Sequence, residues 1–163
     1  MESANPETDP RAVAKVRKAA RDAGLDATIS IMPASTRTAE EAAAACRCDV
    51  AQIVKSLIFR GKTSGKAILL LVSGRNRVDT ARMAATVGEG LERPDASFVR
   101  EATGYAIGGI PPIGHDAPMA TYIDTDLLAF PLVYAAAGTP TAIMALDPRA
   151  LSRAAAAIET RMG

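Results

Sequence analysis

Tryptophan is absent from the chain, and phenylalanine and tyrosine make up only 4 % of it. The core must therefore be assembled from Ala, Val, Ile and Leu, and the shortage of aromatics stands against a nucleic-acid surface built on base stacking. A single histidine, His115, leaves no Ser-His-Asp set to assemble. It also cannot complete a zinc site with the two cysteines at any familiar spacing. Those cysteines, Cys46 and Cys48, lie in a stretch that reads as helix, where residues two apart diverge. They are free thiols, and a Cys46–His115 nucleophilic pair lacks anything local to lower the thiol pKa. The longest apolar run, Ala67 to Val72, is far too short to cross a bilayer, and the polar, acidic N-terminus does not suit a secretory signal, so a cytoplasmic location without a membrane partner is expected. The formal charge of +1 supplies no whole-molecule field for nucleic acid. Neither a G-x-G-x-x-G turn nor a phosphate-binding loop with its lysine is present, which removes nucleotide cofactors. No organic cofactor and no metal are expected.

What is present is a regular series of caps and short apolar segments. Asp9-Pro10 opens a helix running to about Ala23, with Gly24 as its stop and Val13, Val16, Ala20 and Ala23 as its apolar stripe. Leu25 to Met32 reads as a strand. Thr38-Ala-Glu-Glu41 has the capping-box pattern at the head of an Ala-rich helix, and Asp49 to Gln52 forms a second cap and a single turn. Ile53 to Phe59 and Lys66 to Val72 form a hairpin at the centre of a sheet, joined by the polar turn Arg60 to Gly65. Asp79 and Asp95 cap two further helices that end at Gly88 and Gly104. Strands are expected at Ala120–Ile123, Leu132–Ala135 and Ala142–Leu146. Asp147-Pro148 then begins a C-terminal helix packed through Leu151, Ala155, Ile158 and Met162. Irregular alternation with short strand-to-strand links predicts a mixed α/β fold, with a mixed sheet or partly closed barrel and helices outside. No internal repeat or linker divides the chain, so residues 1–163 are expected to form a single domain, with 1–8 as a flexible tail.

Two stretches carry candidate chemistry. Gly104-Tyr-Ala-Ile-Gly-Gly-Ile-Pro-Pro-Ile-Gly114 can continue neither a helix nor an inner strand. Its side chains are almost all apolar or absent, so it has mainly its own N–H and C=O groups to offer, and it reads as a pre-organised cradle for a small polar group. Lys55 stands inside the otherwise apolar strand Ile53-Val-Lys-Ser-Leu-Ile-Phe59. There it either faces solvent or reaches into a pocket to hold an anionic or carbonyl oxygen. His115, Asp116 and Asp124 read most simply as turn residues.

Together, the lysine strand and Thr103 to His115 resemble the two signature blocks of the YbaK/ProRS-associated-domain family. These are free-standing aminoacyl-tRNA deacylases related to the editing domain of bacterial prolyl-tRNA synthetase. The order of elements agrees from about Leu25 to Leu151. The resemblance implies trans-editing, the hydrolysis of the ester joining a wrong amino acid to the terminal adenosine of a tRNA, with a tRNA for proline as the expected substrate. It implies that Lys55 holds the tRNA end or the scissile carbonyl and that the main chain at Gly108, Gly109 and Ile110 receives the aminoacyl group, with water activated through the substrate's own ribose hydroxyl. Pro111, Pro112, Gly114, His115 and Ser56 are the neighbouring candidates for substrate binding. Family members that remove cysteine carry a tyrosine and an aspartate where this chain has Met32 and Ile143. The pocket is thus expected to be lined differently and to take another small amino acid.

For the RNA itself the candidates are Arg60, Lys62, Lys66, Arg75 and Arg77 around the hairpin, because acceptor-stem phosphates must pass near the site. Arg11, Lys15 and Lys18 on the first helix form a second basic group. Prolyl-tRNA synthetase is a further candidate partner. The rival functional class is a module that binds an aminoacyl, nucleotide or nucleic-acid ligand for regulation without turning it over.

Overall fold

The computed structural model describes residues 9–163. The tail expected over residues 1–8 lies outside them. The elements in order are α1 (Pro10–Asp22), β1 (Thr28–Ile31), α2 (Ala39–Cys46), a 3-10 turn (Val50–Gln52), β2 (Ile53–Gly61), β3 (Ala67–Ser73), α3 (Thr80–Val87), β4 (Leu91–Glu92) and α4 (Ala96–Thr103). There follow β5 (Ala120–Asp124), a second 3-10 turn (Thr125–Ala129), β6 (Val133–Ala136), β7 (Ala142–Leu146), α5 (Pro148–Ala154) and β8 (Ile158–Thr160).

The helices start where side-chain caps are encoded. Asp9, Asp79, Asp95 and Asp147 each accept a main-chain N–H in the first turn of their helix, and Thr38 with Glu41 closes a reciprocal box. Gly88 and Gly104 end α3 and α4 in the left-handed conformation, at φ +97° and +83°.

The eight strands make one mixed sheet in the order β1-β7-β6-β2-β3-β5-β8, with β4 paired to β2 off that path. The hairpin β2–β3 is antiparallel and central, with Lys55 opposite Val72. β6 joins β2 in parallel, but only through Ile53 with Tyr134 and Val54 with Ala135. The sheet does not close, which settles the choice between a mixed sheet and a partly closed barrel: β1 and β8 remain its two edges.

Both faces of the central strands are covered, which explains the unbroken apolar run of β3. On one face Leu69 and Leu71 pack with Val16 of α1, Val99 of α4 and Ile123 of β5, and on the other Ile68, Leu70 and Val72 pack with Met83 of α3 and Met162. A third group, Ala42 and Ala43 of α2 with Ile53 and Ile143, closes the end of the sheet near β1.

The C-terminal expectation is corrected. The last helix stops at Ala154, Ala156 turns the chain at φ +48°, and Ile158 to Thr160 pair in parallel with β5. Leu151 and Met162 are both fully buried, but in different clusters, and Ile158 is 55 % exposed. Their spacing imitates a helical stripe by accident of sequence.

Candidate active site

β2 and β6 part after their short ladder. From Lys55 to Phe59, β2 has no strand beside it on the β6 side, until β4 pairs with Arg60 and Gly61. A cavity of about 360 Å³ opens at this parting. It is lined by Lys55, Ser56 and Leu57 of β2, by Tyr134 and Ala136 of β6, by Ile143 of β7, by Thr36 to Ala39 ahead of and into α2, and by Ile107, Gly108 and Ile110 of the glycine-proline loop.

Lys55 is half-buried, and its ammonium donates to the main-chain oxygen of Asn76. Burial pushes its pKa below the usual lysine value, and Arg77 pushes the same way. Glu40 and Asp124 oppose them. Next to it the Ser56 hydroxyl is buried without a hydrogen-bond partner in the structure. A polar atom left so in a largely apolar wall is unusual enough to mark the place.

The loop is built differently. Thr103 Oγ1 donates to Val99 O at 2.8 Å and accepts from the Tyr105 N–H at 3.1 Å, while the Tyr105 hydroxyl donates to Gly114 O at 2.8 Å. Burial, with Asp116 nearby, raises the Tyr105 phenol to about 12. His115 donates from Nε2 to Pro111 O at 2.7 Å, and burial holds its pKa below the usual histidine value. Lys15 of α1 pairs with Asp116 and lies 4.8 Å above the Tyr105 ring. Gly109 donates to Ala106 O at 3.1 Å and accepts from the Gly138 N–H at 3.0 Å, so both its polar groups are spent inside the protein. A Cβ there would stand 2.7 Å from the Thr139 main chain. Gly108, at φ +97°, is the glycine that faces the cavity.

Of the residues singled out in the sequence, the cavity brings together Lys55, Ser56, Gly108, Ile110 and Ile143. Gly109, Pro111, Pro112, Gly114 and His115 do not line it, and Met32 packs with α2 and Ile143. The basic candidates spread out. Arg60 pairs with Glu92 at 3.8 Å and lies over Phe98, and Lys66 lines a separate, larger hollow with Glu89 and Phe98. The Lys62 N–H donates to Gly90 O at 2.8 Å, and Arg75 pairs with Asp49 at 3.0 Å. Arg77 is exposed in the same turn as Asn76, beside Lys55. On α1, Arg11 and Lys18 pair with Asp9 and Asp22 within their own helix. Sequence reasoning missed Arg37, Thr36 and Tyr134, which line the cavity. No local signal in the sequence pointed to them. Among the described residues no three acidic, histidine or cysteine side chains gather as metal ligands, and no helix is long and apolar enough to cross a membrane.

The model of the aminoacyl-tRNA editing domain matches residues 33–154, a span that contains both the lysine strand and the loop. The chain belongs to that family. The editing domain is also 32 % identical over 118 residues to YwhH of Bacillus subtilis (strain 168), an uncharacterized protein, covering 72 % of this chain and 74 % of the relative. A crystal structure described as a candidate trans-editing enzyme for prolyl tRNA synthetase superposes with a TM-score of 0.87 at 42 % identity, covering 98 % of each chain. The crystal structure of hypothetical protein APE2540 superposes with a TM-score of 0.84 at 30 % identity, covering 91 % of this chain and 98 % of that one.

Proposed function

We propose that this editing domain hydrolyses, in trans, the ester of a misacylated tRNA, and that the substrate is a tRNA for proline carrying a small wrong amino acid. The observation that carries the reading is that Lys55 and Gly108 line one cavity at the open edge of β2. A flexible cation on one strand and a glycine at positive φ on a braced loop leave room for a main chain to approach a ligand closely.

The chemistry asked of the site is modest. Water adds to the carbonyl carbon, the bond to the ribose oxygen breaks, and that oxygen leaves as a hydroxyl with the proton the water gives up. An activated ester needs positioning and a group to balance the charge that develops on the carbonyl oxygen, and an ammonium supplies the second. Ile53, Ala42, Ala136 and Ile143 give the acyl side an apolar wall. Such a wall separates small side chains by only a few kcal/mol, so several related amino acids compete for it. Arg37 and Arg77 are exposed beside the cavity or its lysine and are the cations best set for the acceptor-end phosphates.

The test is release of amino acid from tRNA charged with Ala, Ser or Cys. Release above the spontaneous rate for at least one of them supports the proposal. No release from any of them overturns it, and stoichiometric capture without release makes the domain a binding module instead. Because burial lowers the Lys55 pKa, enzyme-dependent release should decline on the alkaline side at lower pH than an ordinary lysine would impose.

A further inference from the structure

β5 ends in Asp124, a carboxylate with no exposed surface. Its Oδ2 accepts from the Ser73 main-chain N–H at 3.1 Å and from the Asn76 side-chain amide at 2.8 Å, and its Oδ1 accepts from the Asp126 N–H at 3.1 Å. Asn76 gives a second amide hydrogen bond to Asp126 Oδ2 at 2.7 Å. Its own N–H donates to Ser73 O at 2.9 Å, and its main-chain oxygen receives the Lys55 ammonium. One continuous path therefore runs from a buried carboxylate, through the side chain and then the main chain of one asparagine, to the cation of the cavity.

We propose that Asp124 and Asn76 are positioning residues, a clamp that fixes where the Lys55 ammonium stands. The inference rests on the reading of Lys55 as the cation that balances the charge developing on the scissile carbonyl. A lysine on a long flexible stem has little preferred direction of its own, and a fixed acceptor at its tip supplies one. An ordinary turn needs no buried charge to shape it, since burying a carboxylate is costly unless its hydrogen bonds are made. Here they are made, and the negative charge also acts on Lys55. The groups facing that ammonium are Glu40 of α2, Arg77 of the Asn76 turn and Asp124 of β5. Asp124 thus offsets the repulsion that Arg77 imposes while holding the carbonyl that the ammonium needs. The turn cannot drift as a unit, because the Gly74 N–H donates to Ile53 O at 2.8 Å and Ser73 Oγ to Ala51 O at 2.8 Å.

The experiment uses the full chain and two variants, Asn76→Ala and Asp124→Asn, with folding checked by thermal melting. Acetic anhydride at limiting concentration acylates Lys55 in competition with the exposed Lys62 of the same molecule, read by peptide mass spectrometry across pH. Both folded variants should show Lys55 labelled severalfold faster relative to Lys62, because the main-chain acceptor at residue 76 is no longer anchored or the neighbouring negative charge is gone. With charged tRNA, kcat should fall on the order of tenfold to a hundredfold while KM changes little, the mark of a misplaced group rather than a lost binding surface. Asp124→Asn alters a fully buried site. If it does not fold, Asn76→Ala decides, since it removes only a partly buried side chain. A folded Asn76→Ala protein with wild-type Lys55 labelling overturns the clamp. The labelling needs no substrate, so an absence of deacylation by the wild-type chain counts against the functional reading alone.

Discussion

The glycine-proline loop and the edge of β2 meet at one cavity, but they spend their polar groups in opposite ways. In the loop many polar groups are consumed within the protein: Thr103 bonds to Val99 of α4, Tyr105 to Gly114, His115 to Pro111, and Gly109 to Ala106 and Gly138. Along β2, Lys55 to Phe59 have no neighbouring strand on one side and the Ser56 hydroxyl has no hydrogen-bond partner among the described residues. The loop is a brace, and on the proposed function the strand edge is the working surface. Rigidity would then come from one wall of the site and reactivity from the other.

Substitutions can break that division of labour. Lys55→Ala carries the largest expected effect, a loss of deacylation on the order of a hundredfold to a thousandfold with the thermal midpoint nearly unchanged, measured by release from charged tRNA. An Ala variant that melts many degrees lower would make the lysine structural. Gly109→Ala should do the reverse and cost roughly 3 kcal/mol of stability in urea titration, because the new methyl meets the Thr139 main chain. Tyr105→Phe, which strands the Gly114 carbonyl, should cost about 1 to 2 kcal/mol by the same titration. Ser56→Ala should leave stability equal or raise it by up to about 1 kcal/mol while slowing release, since it deletes an unsatisfied hydroxyl from the working wall. The smallest effect is in pH. The folded loop keeps His115 neutral, so as pH falls below the ordinary value of 6.5 the unfolded chain takes up the proton first. The stability present above that value is then lost as pH drops through the depressed folded value. The urea midpoint should decline more steeply from pH 7.5 to 5.5 in the wild type than in His115→Gln, and parallel curves would remove the histidine from the brace.

Most of the fold was legible because its signals are local. Asp9-Pro10, the Thr38–Glu41 box and Asp147-Pro148 each satisfy N–H groups within a few residues, so the helix starts can be read directly. The hairpin β2–β3 joins neighbours in sequence and was legible for the same reason. β8 was not, because three residues become a strand only beside β5, and Ile158 with Met162 falls into helical step. β4 owes its existence to a two-residue pairing with Arg60 and Gly61. At the site, Lys55 stood out as a charge in an apolar strand, but nothing local told that Gly109 packs backward onto Thr139 while Gly108 faces forward. Arg37 and Tyr134 reach the cavity only through tertiary placement, so no spacing announced them.

The parting of β2 from β6 gives the cavity a frame built of main chain. Its width follows from the main-chain ladder at Ile53 and Val54, beneath which side chains such as Ala136 and Ile143 act as interchangeable upholstery. On the proposed function, exchanging one wall residue at a time would change which acyl group the pocket takes, because its doorway is hung on peptide bonds that every amino acid shares.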